Sequence, residues 1–99
     1  MLRLEEIPIP EPGPGEVRVK VAWSALNHLD TWVRRGIPGH EFPLPLIPGC
    51  DFSGTIDSSG PGAESFEKGA RVCVAPGFGC GHCLPCSSGR QNHCRSYGI

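Results

Sequence analysis

Apolar and polar positions alternate most regularly between Glu16 and Ser24. Val17, Val19, Val21 and Trp23 take one side there, and Arg18, Lys20 and Ala22 the other. A period of two marks a strand with two unlike faces. Leu2 to Ile9 alternates less regularly and predicts a weak strand. Pro8, Pro10, Pro12 and Pro14 then bar helix and keep the chain extended or turning. The period changes once, at Asn27 to Gly36, where Leu29, Trp32 and Val33 share a face at i, i+3, i+4. Asn27 suits the N-cap, Asp30 the first turn, Arg34 and Arg35 the last, and Gly36 the position after it, so one helix is predicted. Residues 37–50 read as Pro- and Gly-rich loop. Phe52–Ser58 and Ala70–Ala75 predict two further strands, with turns at Ser59–Gly62 and Glu67–Gly69 between them. Gly77 onward is irregular, with room for one helical turn.

Composition narrows this picture. Fourteen Gly and eleven Pro among 99 residues are about twice ordinary usage, which excludes a helical bundle. Short strands joined by such turns suggest a small β barrel or sandwich in a single domain. Nine Lys and Arg balance ten Asp and Glu, so no basic surface for nucleic acid or anionic membrane is expected. No apolar run approaches the roughly 20 residues that span a bilayer. Residues 1–6 alternate rather than form a signal core, so the expected location is the cytoplasm.

Six Cys change the picture again, because four crowd together as Cys80-x2-Cys83-x2-Cys86-x7-Cys94. Four thiolates within one short loop can surround a tetrahedral zinc at about 2.3 Å each. With the shell filled by Cys80, Cys83, Cys86 and Cys94, no position remains open for water, so the metal would be structural. Two alternatives share the residue type. Disulfides need an oxidising compartment. An iron–sulfur run of the ferredoxin type has three residues and then Cys-Pro after its third Cys, where this chain has seven. His82 and His93 could replace one thiolate but are expected on the loop surface. Cys73 is expected as a small buried hydrophobe in its strand. Cys50, beside Asp51, is either packed or a reactive or ligating thiol.

Taken in order, these features resemble the GroES-like catalytic domain of the medium-chain dehydrogenase/reductase superfamily, which holds zinc alcohol dehydrogenases and quinone oxidoreductases. The strand at 16–24, the helix Asn27–Gly36, the run Pro45-Leu46-Ile47-Pro48-Gly49-Cys50-Asp51-Phe52-Ser53-Gly54 and the four-cysteine lobe carry the likeness. It implies a mainly β fold: a partly open barrel with one short helix and a projecting four-cysteine zinc lobe at 77–95, over residues 1–99. It also implies a Rossmann-type NAD(P) domain that these residues lack. The nearest Gly run, Gly77-Phe78-Gly79-Cys80-Gly81-His82, has His where the third Gly of a dinucleotide turn belongs. The sequence therefore reads as clipped at both ends and inactive alone.

The same resemblance places the pocket. Zinc alcohol dehydrogenases take catalytic-metal ligands at positions matched here by Asn27, Cys50 and Asp51, and a proton-relaying hydroxyl at the position of Leu29. Neutral Asn is a poor zinc ligand and Leu relays no proton. Asn27-x-x-Asp30 and Gly49-Cys50-Asp51 instead resemble the quinone-oxidoreductase branch, which works without catalytic zinc. Asp30 resembles a residue that orients a neighbouring ligand. His28 resembles a position near the cofactor pyrophosphate, and equally suits an exposed first-turn residue. The implied whole is an oxidoreductase with one structural Zn²⁺ per chain, NAD(P), a small-molecule substrate and a homo-oligomeric state. Two alternatives stand beside it: a zinc-stabilised binding or oligomerisation module, and a zinc-dependent alcohol dehydrogenase with a degenerate metal site.

Overall fold

The computed structural model describes residues 2–99. The elements run β1 (Val17–Ala25), α1 (His28–Arg35), β2 (Asp51–Ser59), β3 (Arg71–Cys73), α2 (Leu84–Ser87) and a 3-10 turn (Gln91–His93). The strands form one sheet in the order β1-β2-β3. The strands expected at 16–24 and 52–58 and the helix at 27–36 appear within a residue or two of those bounds, and the strand expected at 70–75 is shorter. The backbone contacts divide the chain into two units, one made of residues through Ala22 with Ser53–Val72, the other of Trp23–Phe52 with Cys73–Ile99.

In the first unit, β1 and β2 lie close because Gly54 has no side chain. A Cβ there would fall inside contact distance of the Lys20 carbonyl. Ile56, 2% exposed, anchors the apolar centre together with Ala63 at 4%. Its backbone accepts from Gly69 N–H at 2.8 Å and donates to the Ala70 carbonyl at 2.9 Å, which carries the chain from β2 round to β3. Gly15 N–H to the Pro61 carbonyl at 2.7 Å and Gly60 N–H to the Glu16 carbonyl at 2.8 Å close the turn ends. Arg18 Nε donates to Asp57 Oδ2 at 2.8 Å, and its Nη1 reaches the Pro10 carbonyl at 3.2 Å. One guanidinium thus ties the Pro-rich segment to the sheet.

Two expectations are corrected here, the strand at Leu2–Ile9 and the burial of Cys73. Residues 2–10 form no strand, since Pro8 and Pro10 remove amides that a ladder needs. The alternation in β1 sets which way its residues face without burying them: Val17 and Val19 are half-buried, but Val21 and Trp23 are 53% and 79% exposed. Burial requires a second layer, and these residues present only one sheet. Cys73 is exposed, because β3 is a three-residue edge strand.

In the second unit, α1 starts at Asn27 in extended backbone and ends as Gly36 N–H donates to the Val33 carbonyl at 3.2 Å. Val74 N–H extends the pairing with Phe52 at 3.1 Å. Further on, Phe78 and Gly98 exchange two backbone bonds of 2.9 Å in an isolated antiparallel bridge. That bridge brings together the two ends of the cysteine lobe, within which α2 packs on the 3-10 turn.

Gly54→Ala should lower stability by about 3 kcal/mol, because the new methyl meets backbone rather than a movable side chain. Urea denaturation followed by circular dichroism measures the loss.

Candidate functional site

The lobe is built by short-range geometry. Cys83 stands at the start of α2, Cys86 within it, and Cys94 directly after the 3-10 turn. Pro85 in the first turn of α2 fixes φ where no amide partner is needed. Gly79 lets the loop pass close, since a Cβ there would lie 2.7 Å from Cys86 Sγ. The four sulfurs of Cys80, Cys83, Cys86 and Cys94 all lie within 4.8 Å of one another, and Cys80 Sγ is 4.0 Å from Cys86 Sγ. A tetrahedron of about 2.3 Å metal–sulfur bonds has edges of about 3.8 Å, so the donor set fits one ion with small inward shifts. All six cysteines are free thiols. His82 and His93 are exposed and lie outside the four-sulfur group, as the sequence suggested.

Backbone amides already favour thiolate at two corners. The amides of His82 and Cys83 hold the Cys80 thiol down at about 6. Those of Cys80 and Ser96 lower Cys94, whose sulfur they reach at 3.4 and 3.3 Å. At Cys83 the Cys86 amide acts in the same direction, but the Cys86 thiol, burial and the other two thiols outweigh it and push Cys83 up to about 12. Four crowded thiols cannot all ionise unless a cation replaces their protons. That is the chemistry of a soft divalent-metal cage.

The second constellation depends on Asp30. Its Oδ2 accepts from Asn27 N–H at 2.7 Å and its Oδ1 from Gly49 N–H at 2.8 Å. Gly49 sits at φ +99, a left-handed conformation suited to glycine, and it leads the chain into Cys50 and Asp51. The Asn27 side-chain NH2 then donates to Asp51 Oδ2 at 2.5 Å, which links the helix start to β2. Cys50 is half-buried, and burial together with the Asp51 and Asp30 carboxylates raises its thiol pKa. The sequence-derived group Asn27, Cys50 and Asp51 is thus gathered by one carboxylate. His28 stands apart on the exposed side of α1, edge-on to Trp32 at 5.0 Å. Sequence reasoning placed Asp30 in the first turn but missed its reach to Gly49. A short acid in a first turn and a distant glycine were the available signals.

This geometry has close relatives. The chain belongs to the alcohol dehydrogenase GroES-like domain family, which it matches over residues 13–99. It is 41% identical over 99 residues to the starvation-sensing protein RspB of Escherichia coli, covering 99% of this chain and 29% of that protein. A solved NAD-dependent alcohol dehydrogenase superposes with a TM-score of 0.89 at 48% identity, over 96% of this chain and 28% of that one. A cobalt- and zinc-bound thermostable alcohol dehydrogenase from Pyrobaculum aerophilum gives 0.83 at 36% identity, over 95% and 28%. The chain therefore spans little more than a quarter of the length of these relatives. Among the described residues no helix is long and apolar enough to cross a membrane.

Two outcomes are expected. Asp30→Ala should cost about 1–2 kcal/mol and speed hydrogen exchange at the Asn27 and Gly49 amides together, since one acceptor serves both. In metal-stripped protein, iodoacetamide at neutral pH should modify Cys80 well before Cys83 or Cys50. The thiolate is the nucleophile, so the Cys80 rate should rise through pH about 6, while Cys83, pushed up to about 12, and Cys50, raised by burial, stay protonated. Peptide mapping after timed quenching reads the order.

Proposed function

We propose that this chain is the substrate-side domain of an NAD(P)-dependent oxidoreductase, carrying one structural zinc at Cys80, Cys83, Cys86 and Cys94. The four-sulfur cage carries the reading, because a closed thiolate shell holds a metal without exposing it to substrate. The nicotinamide, when bound by a Rossmann-type domain elsewhere in the full-length protein, supplies the hydride chemistry. This chain's part is to shape a pocket beside Asn27, Cys50 and Asp51 for a small carbonyl, alcohol or quinone, with His28 on the cofactor side. Relatives named as NAD-dependent favour NAD over NADP. The 99 residues alone hold no Gly-rich phosphate turn and should bind NADH no tighter than about millimolar. We take the full-length protein to be cytoplasmic and homo-oligomeric.

The pocket residues support a reading without catalytic zinc. Asn27 offers a neutral amide already committed to Asp51, and a half-buried protonated Cys50 is the one soft donor. Catalytic zinc takes three firm protein ligands. The zinc-dependent alcohol dehydrogenase reading keeps one supporting observation, the metal-bound relative with the same fold.

Elemental analysis of protein purified under reducing conditions tests both. One zinc per chain is expected, lost in Cys83→Ser and retained in Cys50→Ser. Iron, or no metal, would overturn the cage. A second zinc that disappears in Cys50→Ser would restore the zinc-dependent reading.

A further inference from the structure

Charge is distributed unevenly along this chain. Every Asp and Glu lies at or before Glu67, whereas Lys68, Arg71, Arg90 and Arg95 all follow it. The cysteine lobe therefore contains cationic side chains and no side-chain carboxylate. A half-open cleft of about 380 Å³ opens on the lobe, lined among others by Cys80, Cys83 and Cys94 with His82, His93 and Arg95. Of the residues lining it, Arg95 alone carries a permanent charge. Arg90 is turned to Ser88 Oγ at 3.5 Å and does not line the cleft.

Four thiolates around one divalent ion leave two net negative charges on the lobe. An excess of that kind, close to low-dielectric protein, is stabilised by nearby fixed cations and destabilised by nearby carboxylates. Backbone amides to Cys94 Sγ from Cys80 and Ser96 supply part of the compensation. The amides of His82, Cys83 and Cys86 add to it at Cys80 and Cys83, and Arg95 brings the one permanent side-chain cation to the cleft.

We propose that Arg95 is the counter-ion of the metal–tetrathiolate, and that the lack of Asp and Glu over 68–99 serves the same end by keeping further negative charge from the cleft. Arg95 touches no sulfur bond directly. It follows Cys94 in the chain and shares the cleft with three of the four thiols, so its guanidinium lowers the electrostatic cost of gathering four thiolates there. With the cage loaded, Arg90 and Arg95 match the two net negative charges of the metal–tetrathiolate. The inference rests on the reading of Cys80, Cys83, Cys86 and Cys94 as a divalent-metal cage, and it concerns affinity, not chemistry at the pocket.

The test measures the affinity of the full chain for Zn²⁺ by competition with a chelator, and the Co²⁺–thiolate absorption of the same variants. At low salt Arg95→Gln should weaken zinc roughly five-fold and Arg95→Glu roughly twenty-fold, with Arg95→Lys close to the parent. The gap should close at about 0.5 M salt, where exposed charges are screened. The Co²⁺ band should keep its position in every variant, since all four thiolates remain. Arg71→Gln removes the same charge from β3 and should change nothing. Equal affinities of Arg95→Gln and the parent at low salt would overturn the proposal. So would an equal loss in Arg71→Gln, or a loss that persists in high salt, which would mark a packing role. Failure of the parent to bind zinc would instead overturn the cage itself.

Discussion

Only Ile56, Ala63 and Cys94 are buried apolar residues among those described, while Trp23, Leu26, Trp32 and Ile47 are more than half exposed. Apolar burial at roughly 25 cal/mol per Å² therefore has little area to act on, and backbone pairing carries much of the order. That makes the β1–β2 approach decisive. It works because Gly54 faces the Lys20 carbonyl without a side chain, and because the Ile56 backbone is satisfied on its other edge by Gly69 and Ala70. Where the strands end, side chains take over the same role. Arg18 holds Pro10 and Asp57, and Asp30 holds Asn27 and Gly49.

The grouping of Asn27, Cys50 and Asp51 is a consequence of this arrangement. Asp30 sits where a first-turn acid is favoured by the helix dipole, and the same carboxylate captures a loop amide 19 positions away. Satisfying two donors with one acceptor fixes the entry to β2, and β2 begins with Asp51. The Asn27–Asp51 bond follows from that alignment. The residue at the helix cap thus also reaches β2, while Asp30 holds the helix start through the Asn27 N–H.

What could be read from the sequence was whatever depends on near neighbours. The period of β1, the caps of α1 and the Cys spacing are local, and each appears where expected. Long-range facts were not legible: Arg18 meets Asp57 39 positions on, and no period announces it. Burial was misjudged at Cys73 because propensity and alternation report which face a residue takes, whereas exposure depends on what covers that face. The arm at 2–10 failed as a strand for the opposite reason, since its apolar positions alternate but Pro8 and Pro10 cannot donate to a ladder.

The two constellations consequently differ in how they depend on the fold. The cage is assembled by fifteen consecutive residues, with backbone bonds that begin and end inside the lobe or at the Phe78–Gly98 bridge. Asn27, Cys50 and Asp51 are brought together by bonds spanning from α1 to β2, and none of those bonds involves a lobe residue. Loosening the Asp30 clasp should therefore displace Cys50 and Asp51 while leaving the four sulfurs in place. Changes confined to the four cysteines should in turn leave the Asn27–Asp51 pair intact. A change of residue at Asn27 or Cys50 therefore needs no compensating change among the four cysteines.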